Sequence, residues 1–187
     1  EISACLVGSE MCIRDSLYIR KGDHTSDLDQ RKIAYAQARE WLKAHDTLAQ
    51  GLPADEKEAA RQRAHSPYYR GQIAFGEGNL DDADQAFTEA LAEGKKIGWH
   101  RLQVYTENWL ADVALRRIRF DGTDVGLRQA LLDSAEQHIQ KGWVVATKND
   151  DQRRIAYLLR SKAYLALARG KDEEASDSAQ ELSLIHI

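Results

Sequence analysis

The sequence predicts an all-α chain of paired helices, and three observations carry that expectation. Helix formers (Ala, Leu, Glu, Lys, Arg, Gln) dominate, and only 2 prolines interrupt 187 residues, so long helices are permitted. Small and apolar side chains recur at steps of three and four, which places them on one helix face. Gly and Asn, or Ser, Thr and Asp, punctuate that pattern where a helix must stop or start. A hydrophobic share of 43% with 30% charged residues suits a folded soluble chain rather than a disordered one.

The ends are set aside first. Residues 1–16 (EISACLVGSEMCIRDS) and the closing residues from about Leu182 (LSLIHI) resemble translated sequencing-adapter read-through. The only Met, Met11, and both cysteines, Cys5 and Cys12, lie in the first of these segments. A secretory signal would need a basic start and a longer apolar core than Ala4–Gly8. Residues 1–16 and 183–187 are therefore expected to be non-native, and 17–182 to form one helical repeat domain, open at both ends. No cysteine remains there for disulfides or thiolate metal sites, which fits a cytoplasmic protein.

The elements follow in order. Tyr18–Gly22 reads as the end of a helix. A polar loop, residues 22–27, leads through a Ser26–Asp27 cap into a helix carrying Ile33, Ala34, Ala38, Trp41 and Leu42. Pro53–Ala64 reads in two ways: as a separate helix, with Ser66 capping and Pro67 opening the next, or as one helix continuous with Tyr68–Glu77 and kinked at Pro67. The continuous helix is the expectation adopted. Gly78–Asn79 stops it, Gly supplying the left-handed conformation of a helix end. A helix from Leu80 has Asp81 and Asp82 in its first turn, where acids complement the dipole, and Ala83, Ala86, Phe87, Ala90 and Leu91 on one face. Leu110, Ala111, Ala114 and Leu115 mark the next helix. After an expanded turn through Arg119–Gly126, capped by Thr123–Asp124, comes one with Ala130, Leu131, Ala135 and Ile139. The last pair carries Leu159, Ala163, Ala166, Gly170, Ala175 and Ala179.

Gly71, Ala74, Gly78, Ala83, Phe87 and Ala90 resemble the tetratricopeptide repeat (TPR) family, in which small residues sit where two helices cross and bulky ones lie between. Ala163, Ala166, Gly170, Ala175 and Ala179 fall at the same offsets as Gly71, Ala74, Gly78, Ala83 and Phe87. Pro67 stands where the motif has an aromatic residue, and its closing proline is absent. The resemblance implies a right-handed α-α superhelix, a solenoid of about three to four helical hairpins of the long, irregular bacterial type.

Catalytic and cofactor motifs are missing. HExxH, GxxxxGK[ST] and GxSxG do not occur. Gly76–Asn79 lacks the strand and lysine of a phosphate loop, and Asp121–Asp124 lacks the later ligands of a calcium loop. His24, His45, His65, His100 and His138 have no spacing that pairs them on one helix face for a metal. Trp41, Trp99, Trp109 and Trp143 read as packing residues. A net charge of −4 gives no general attraction to nucleic acid or anionic membrane, though a local patch is compatible with it. No enzyme activity, cofactor, metal, nucleic-acid or membrane partner is expected.

In the family resembled, the first helix of each pair lines a concave face that grips a peptide or a partner helix. The matching positions are Tyr68, Gln72 and Phe75; Tyr105, Asn108, Asp112 and Arg116; and Tyr157, Arg160 and Tyr164. Asn108, Asp112 and Arg116 form an i, i+4, i+8 stripe. Chaperone-binding members clamp a C-terminal carboxylate with a basic cluster; Tyr68, Gln72, Asn108 and Asp112 stand there instead, so that activity is not implied. The expectation is a protein-interaction scaffold. The alternative is the ligand-sensing arm of a larger bacterial signalling or transcription regulator.

Overall fold

A computed structural model describes residues 18–19, 21–51, 57–121 and 124–185. Every regular element among them is helical, and no strand occurs there. Residues 18–19 and 21–24 belong to a first helix, α1. It is followed by α2 (Leu28–Gln50), α3 (Lys57–Glu77), α4 (Leu80–Lys96), α5 (His100–Asp121), α6 (Val125–Lys148), α7 (Gln152–Ala168) and α8 (Asp172–Leu184). The chain divides into two compact units, the first ending at Ile97 and the second beginning at Gly98. Within them consecutive helices pack on one another, and α5 also touches α7.

Local chemistry sets most boundaries. Asp27 accepts the amides of Asp29 and Gln30 at 2.9 and 3.1 Å, capping α2. Asn79, Asp124 and Asp151 cap α4, α6 and α7 by accepting from Asp82, Leu127 and Arg154. These side chains satisfy donors that a helix start otherwise leaves open. Gly78 and Gly170 close α3 and α7 at φ of 84° and 72°, where a side chain would be strained. At the corresponding α6–α7 turn Asp150 takes φ 49°, the only described non-glycine residue with positive φ. Asp81–Asp82 and Asp172–Glu174 occupy the first turns of α4 and α8, as expected.

The continuous helix expected through Pro67 is present: α3 runs from Lys57 to Glu77 with Pro67 inside it, and Ser66 is a buried interior residue; residues 53–56 lie outside the described set. Two boundaries differ from expectation. The turn expected to be expanded over Arg119–Gly126 is short, because α5 continues to Asp121 and α6 starts at Val125. Polar residues at a helix end read like a loop, yet they extend a helix wherever its inner face stays covered. Thr123 lies outside the described residues. α8 continues across the boundary placed after Leu182, as far as Leu184; residues 1–16 are outside the described set.

In the first unit Ile19, Tyr35, Ala38, Leu42, Tyr69 and Ile73 form one cluster. α3 and α4 meet where Gly71 faces Phe87: a Cβ at Gly71 would lie 2.6 Å from the ring, which is fully buried. In the second unit Ala111, Ala114, Ile118, Leu132, Ala135, Ile139 and Leu165 form the main cluster, beside a smaller one of Val104, Ala146 and Leu158 flanked by Trp143. The other three tryptophans are also half-buried. Three expected core positions are exposed: Ile33, Ala130 and Ala179. Tyr35, Leu132 and Ser178 are buried instead, each one or two residues along, so the inner stripe is rotated from where side-chain hydrophobicity alone placed it.

Candidate functional site

The ten candidate residues are divided between the two units. Tyr68, Gln72 and Phe75 share one face of α3, and all three are half-buried. Gln72 Nε2 donates to the Tyr68 hydroxyl at 2.8 Å. The Tyr68 ring centroid stands 5.5 Å from Tyr69 and 6.3 Å from Phe87. Tyr68 therefore packs with its body against the α3–α4 contact and keeps its polar end towards Gln72. The opposite face of α3 borders a groove shared with Arg39 of α2 and with Asn79, Asp82, Gln85, Ala86 and Glu89 of α4. Two ion pairs hold its sides, Arg39 to Glu77 at 2.5 Å and Arg70 to Glu89 at 2.7 Å.

In the second unit the seam between α5 and α7 gathers most of the other candidates. Ser161 donates its hydroxyl to Asn108 Oδ1 at 3.0 Å and lies 2.8 Å from Asp112 Oδ1. Arg160 donates to Asp112 Oδ2 at 3.0 Å. Asn108 is buried, and the Asp112 side chain is only 14% exposed. Burial pushes the Asp112 carboxyl above its ordinary range, opposed by the Arg160 charge and by hydrogen bonds from Ser161 and Arg160. Beside this network the Tyr105 and Tyr157 rings stand 5.7 Å apart, and the Arg154 guanidinium lies 4.8 Å over the Tyr105 ring. Arg154 is itself tied to Asp151 at 3.1 Å.

Helical periodicity then separates what is locked from what is open. On α7 the positions Arg153, Tyr157, Arg160, Tyr164 and Leu167 follow one another at steps of four and three, on a single stripe. Arg153, Arg160, Tyr164 and Leu167 are exposed and Tyr157 is half-buried. Asn108 and Asp112, read from the sequence as part of an open stripe, are turned towards Ser161 and Arg160 of α7. Arg116, the third member of that stripe, is half-buried.

Sequence reasoning overlooked two buried polar pairs. Glu107, only 2% exposed, meets His138 Nδ1 at 2.7 Å across the α5–α6 contact. The signal was present: Glu107 lies on the stripe of Ala111, Ala114 and Ile118, so it had to face inward. His45, also 2% exposed, meets Gln62 Oε1 at 2.8 Å between α2 and α3. No group of three His, Cys, Asp or Glu among the described residues could hold a metal ion. No described helix is long and apolar enough to cross a membrane. No family model, curated protein or solved structure matches this chain.

Proposed function

We propose that this chain is a protein-interaction scaffold of tetratricopeptide type, whose paired helices are modules of a right-handed superhelix and whose α5–α7 face takes an extended peptide from a partner protein. One observation carries the reading. The network of Asn108, Asp112, Arg160 and Ser161 sets the register of α5 against α7, and the adjoining outward stripe is made of Tyr157, Arg160, Tyr164 and Arg153. Tyrosine and arginine offer large contact area with a polar end, and they are enriched where partners dock. A face whose backbone is already ordered leaves most of the ordering entropy to the peptide. The pairing of α5 with α6 and of α7 with α8, together with the α5–α7 contact, is the pattern that stacked two-helix modules require.

Selection of displayed random peptides on the full chain tests this. Peptides should be enriched on the parent protein. They should lose at least about tenfold in affinity on the double variant Tyr157→Ser, Tyr164→Ser, a loss expected when aromatic anchors are removed, while its far-ultraviolet circular dichroism matches the parent. Undiminished binding to that variant removes this face from the site.

A further inference from the structure

The charges of the second unit are sorted by helix. α7 carries Arg153, Arg154, Arg160 and Lys162 and no acidic residue. α8, packed against it, carries Asp172, Glu173, Glu174, Asp177 and Glu181 and no basic residue. α5 adds Arg101, Arg116, Arg117 and Arg119. Two of its acids are spent internally: Glu107 is buried against His138, and Asp112 is held by Arg160 and Ser161. A chain with a net charge of −4 thus presents arginine on the α5–α7 side.

Arg101 and Arg153 sharpen the point. Both are exposed, and neither makes an ion pair with any described residue. Arg101 lies one turn before Tyr105 on the α5 stripe, and Arg153 one turn before Tyr157 on the α7 stripe. Each tyrosine therefore has a guanidinium on its N-terminal side. Arg160 continues the series and is 44% exposed even while it holds Asp112.

We infer that the partner of this face is an acidic peptide segment, with carboxylates spaced between apolar or aromatic side chains. This rests on the scaffold reading above and names the partner's chemistry. Arginine matches a carboxylate with two parallel hydrogen bonds, which a single point charge does not. Intervening Tyr157, Tyr164 and Leu167 supply apolar contact between the charged positions. Nucleic acid fits less well. Its closely spaced phosphates would meet the acidic α8 beside the arginine row, and binding to phosphate depends on many cations acting together.

The peptide selection described above, run on the full chain, reads the composition of the enriched sequences. Enrichment in Asp and Glu is expected, with affinity for the best peptide falling as salt rises. The double variant Arg101→Glu, Arg153→Glu should weaken that peptide by about tenfold or more. Its thermal midpoint should stay unchanged, because neither arginine is tied to another described residue. A labelled single-stranded oligonucleotide and sedimentation of the protein alone complete the set. Enrichment of neutral or basic peptides that still depend on Tyr157 and Tyr164 overturns the acidic partner and leaves the scaffold standing. Failure to enrich any peptide overturns both. Tighter binding of the oligonucleotide reassigns the face to nucleic acid. Salt-sensitive self-association abolished by the same two reversals reassigns it to a second copy of this chain.

Discussion

Replacing Gly71 by Ala sets two effects of opposite sign against each other. In a helix interior Ala is favoured over Gly by about 1 kcal/mol, so a Gly71 that merely happened to lie in α3 would be improved by the change. The crossing with α4 predicts the reverse. The new Cβ would lie 2.6 Å from two carbons of Phe87, well inside ordinary contact distance. The ring is fully buried, with Tyr68 on another side, so it cannot swing into solvent. Overpacking of this kind costs about 1–3 kcal/mol, and the tight enclosure argues for the upper part of that range. The net effect is a loss of about 1–2 kcal/mol, or a few degrees in thermal midpoint for a chain of this length. Urea unfolding followed by far-ultraviolet circular dichroism measures it. Trimming the ring by Phe87→Leu should relieve the overlap, so that Gly71→Ala becomes stabilising in that background and the two changes couple by about 2 kcal/mol. A higher unfolding midpoint for Gly71→Ala alone would refute the close helix crossing.

Two further predictions concern single residues. Burial, then the neighbouring charges of His45 and Arg61, holds His65 down at about 4, whereas an unfolded chain takes up this proton near 6.5. Between those values acid favours unfolding, so stability should fall as pH drops from about 6.5 to about 4, by up to about 3 kcal/mol. His65→Gln should flatten that window in denaturation curves, and an unchanged slope would show that His65 is not its source. Asp150 stands at φ 49° in the α6–α7 turn, where Gly78 and Gly170 close other helices. Asp150→Gly relieves a left-handed residue and should raise stability by about 0.5–1 kcal/mol in the same assay; a loss would mean that the Asp150 contact with Gln152 outweighs the strain.

What was legible in the sequence was local. Asp27 and Asp124 cap helices whose first apolar residues follow within a turn, and Gly71, Ala83 and Phe87 carry their packing role in their size. Tyr35 was not legible, because its burial depends on a partner elsewhere. Its hydroxyl donates to Asp23 Oδ1 at 2.6 Å, and its ring fills space left by Gly22 and Gly76. Hydrophobicity alone placed Ile33 on that face, and Ile33 is 57% exposed. Ser178 is the same lesson at small scale. Its hydroxyl returns to the Glu174 carbonyl at 2.9 Å, so a polar residue sits inside while Ala179 beside it stays out.

The candidate site was half legible for a related reason. Two polar residues four apart on a helix look alike whether they face water or a second helix. Asn108 and Asp112 face Ser161 and Arg160, about fifty residues away in sequence, and nothing local reveals such a match. The energetic asymmetry of that match bears on function. A carboxylate withdrawn from water gains little net stability even when well paired, but losing its partner costs about 3–5 kcal/mol. The seam therefore contributes little to holding α5 against α7 and much to fixing their register, since a slip of one turn would leave Asp112 without Ser161 and Arg160. Register is what an extended ligand would read. With Asp112 held, Tyr105 stays level with Tyr157, and the backbone positions of Arg101 and Arg153 keep fixed places along the two stripes. The buried half of the stripe is thus the part that makes the exposed half a rigid pattern.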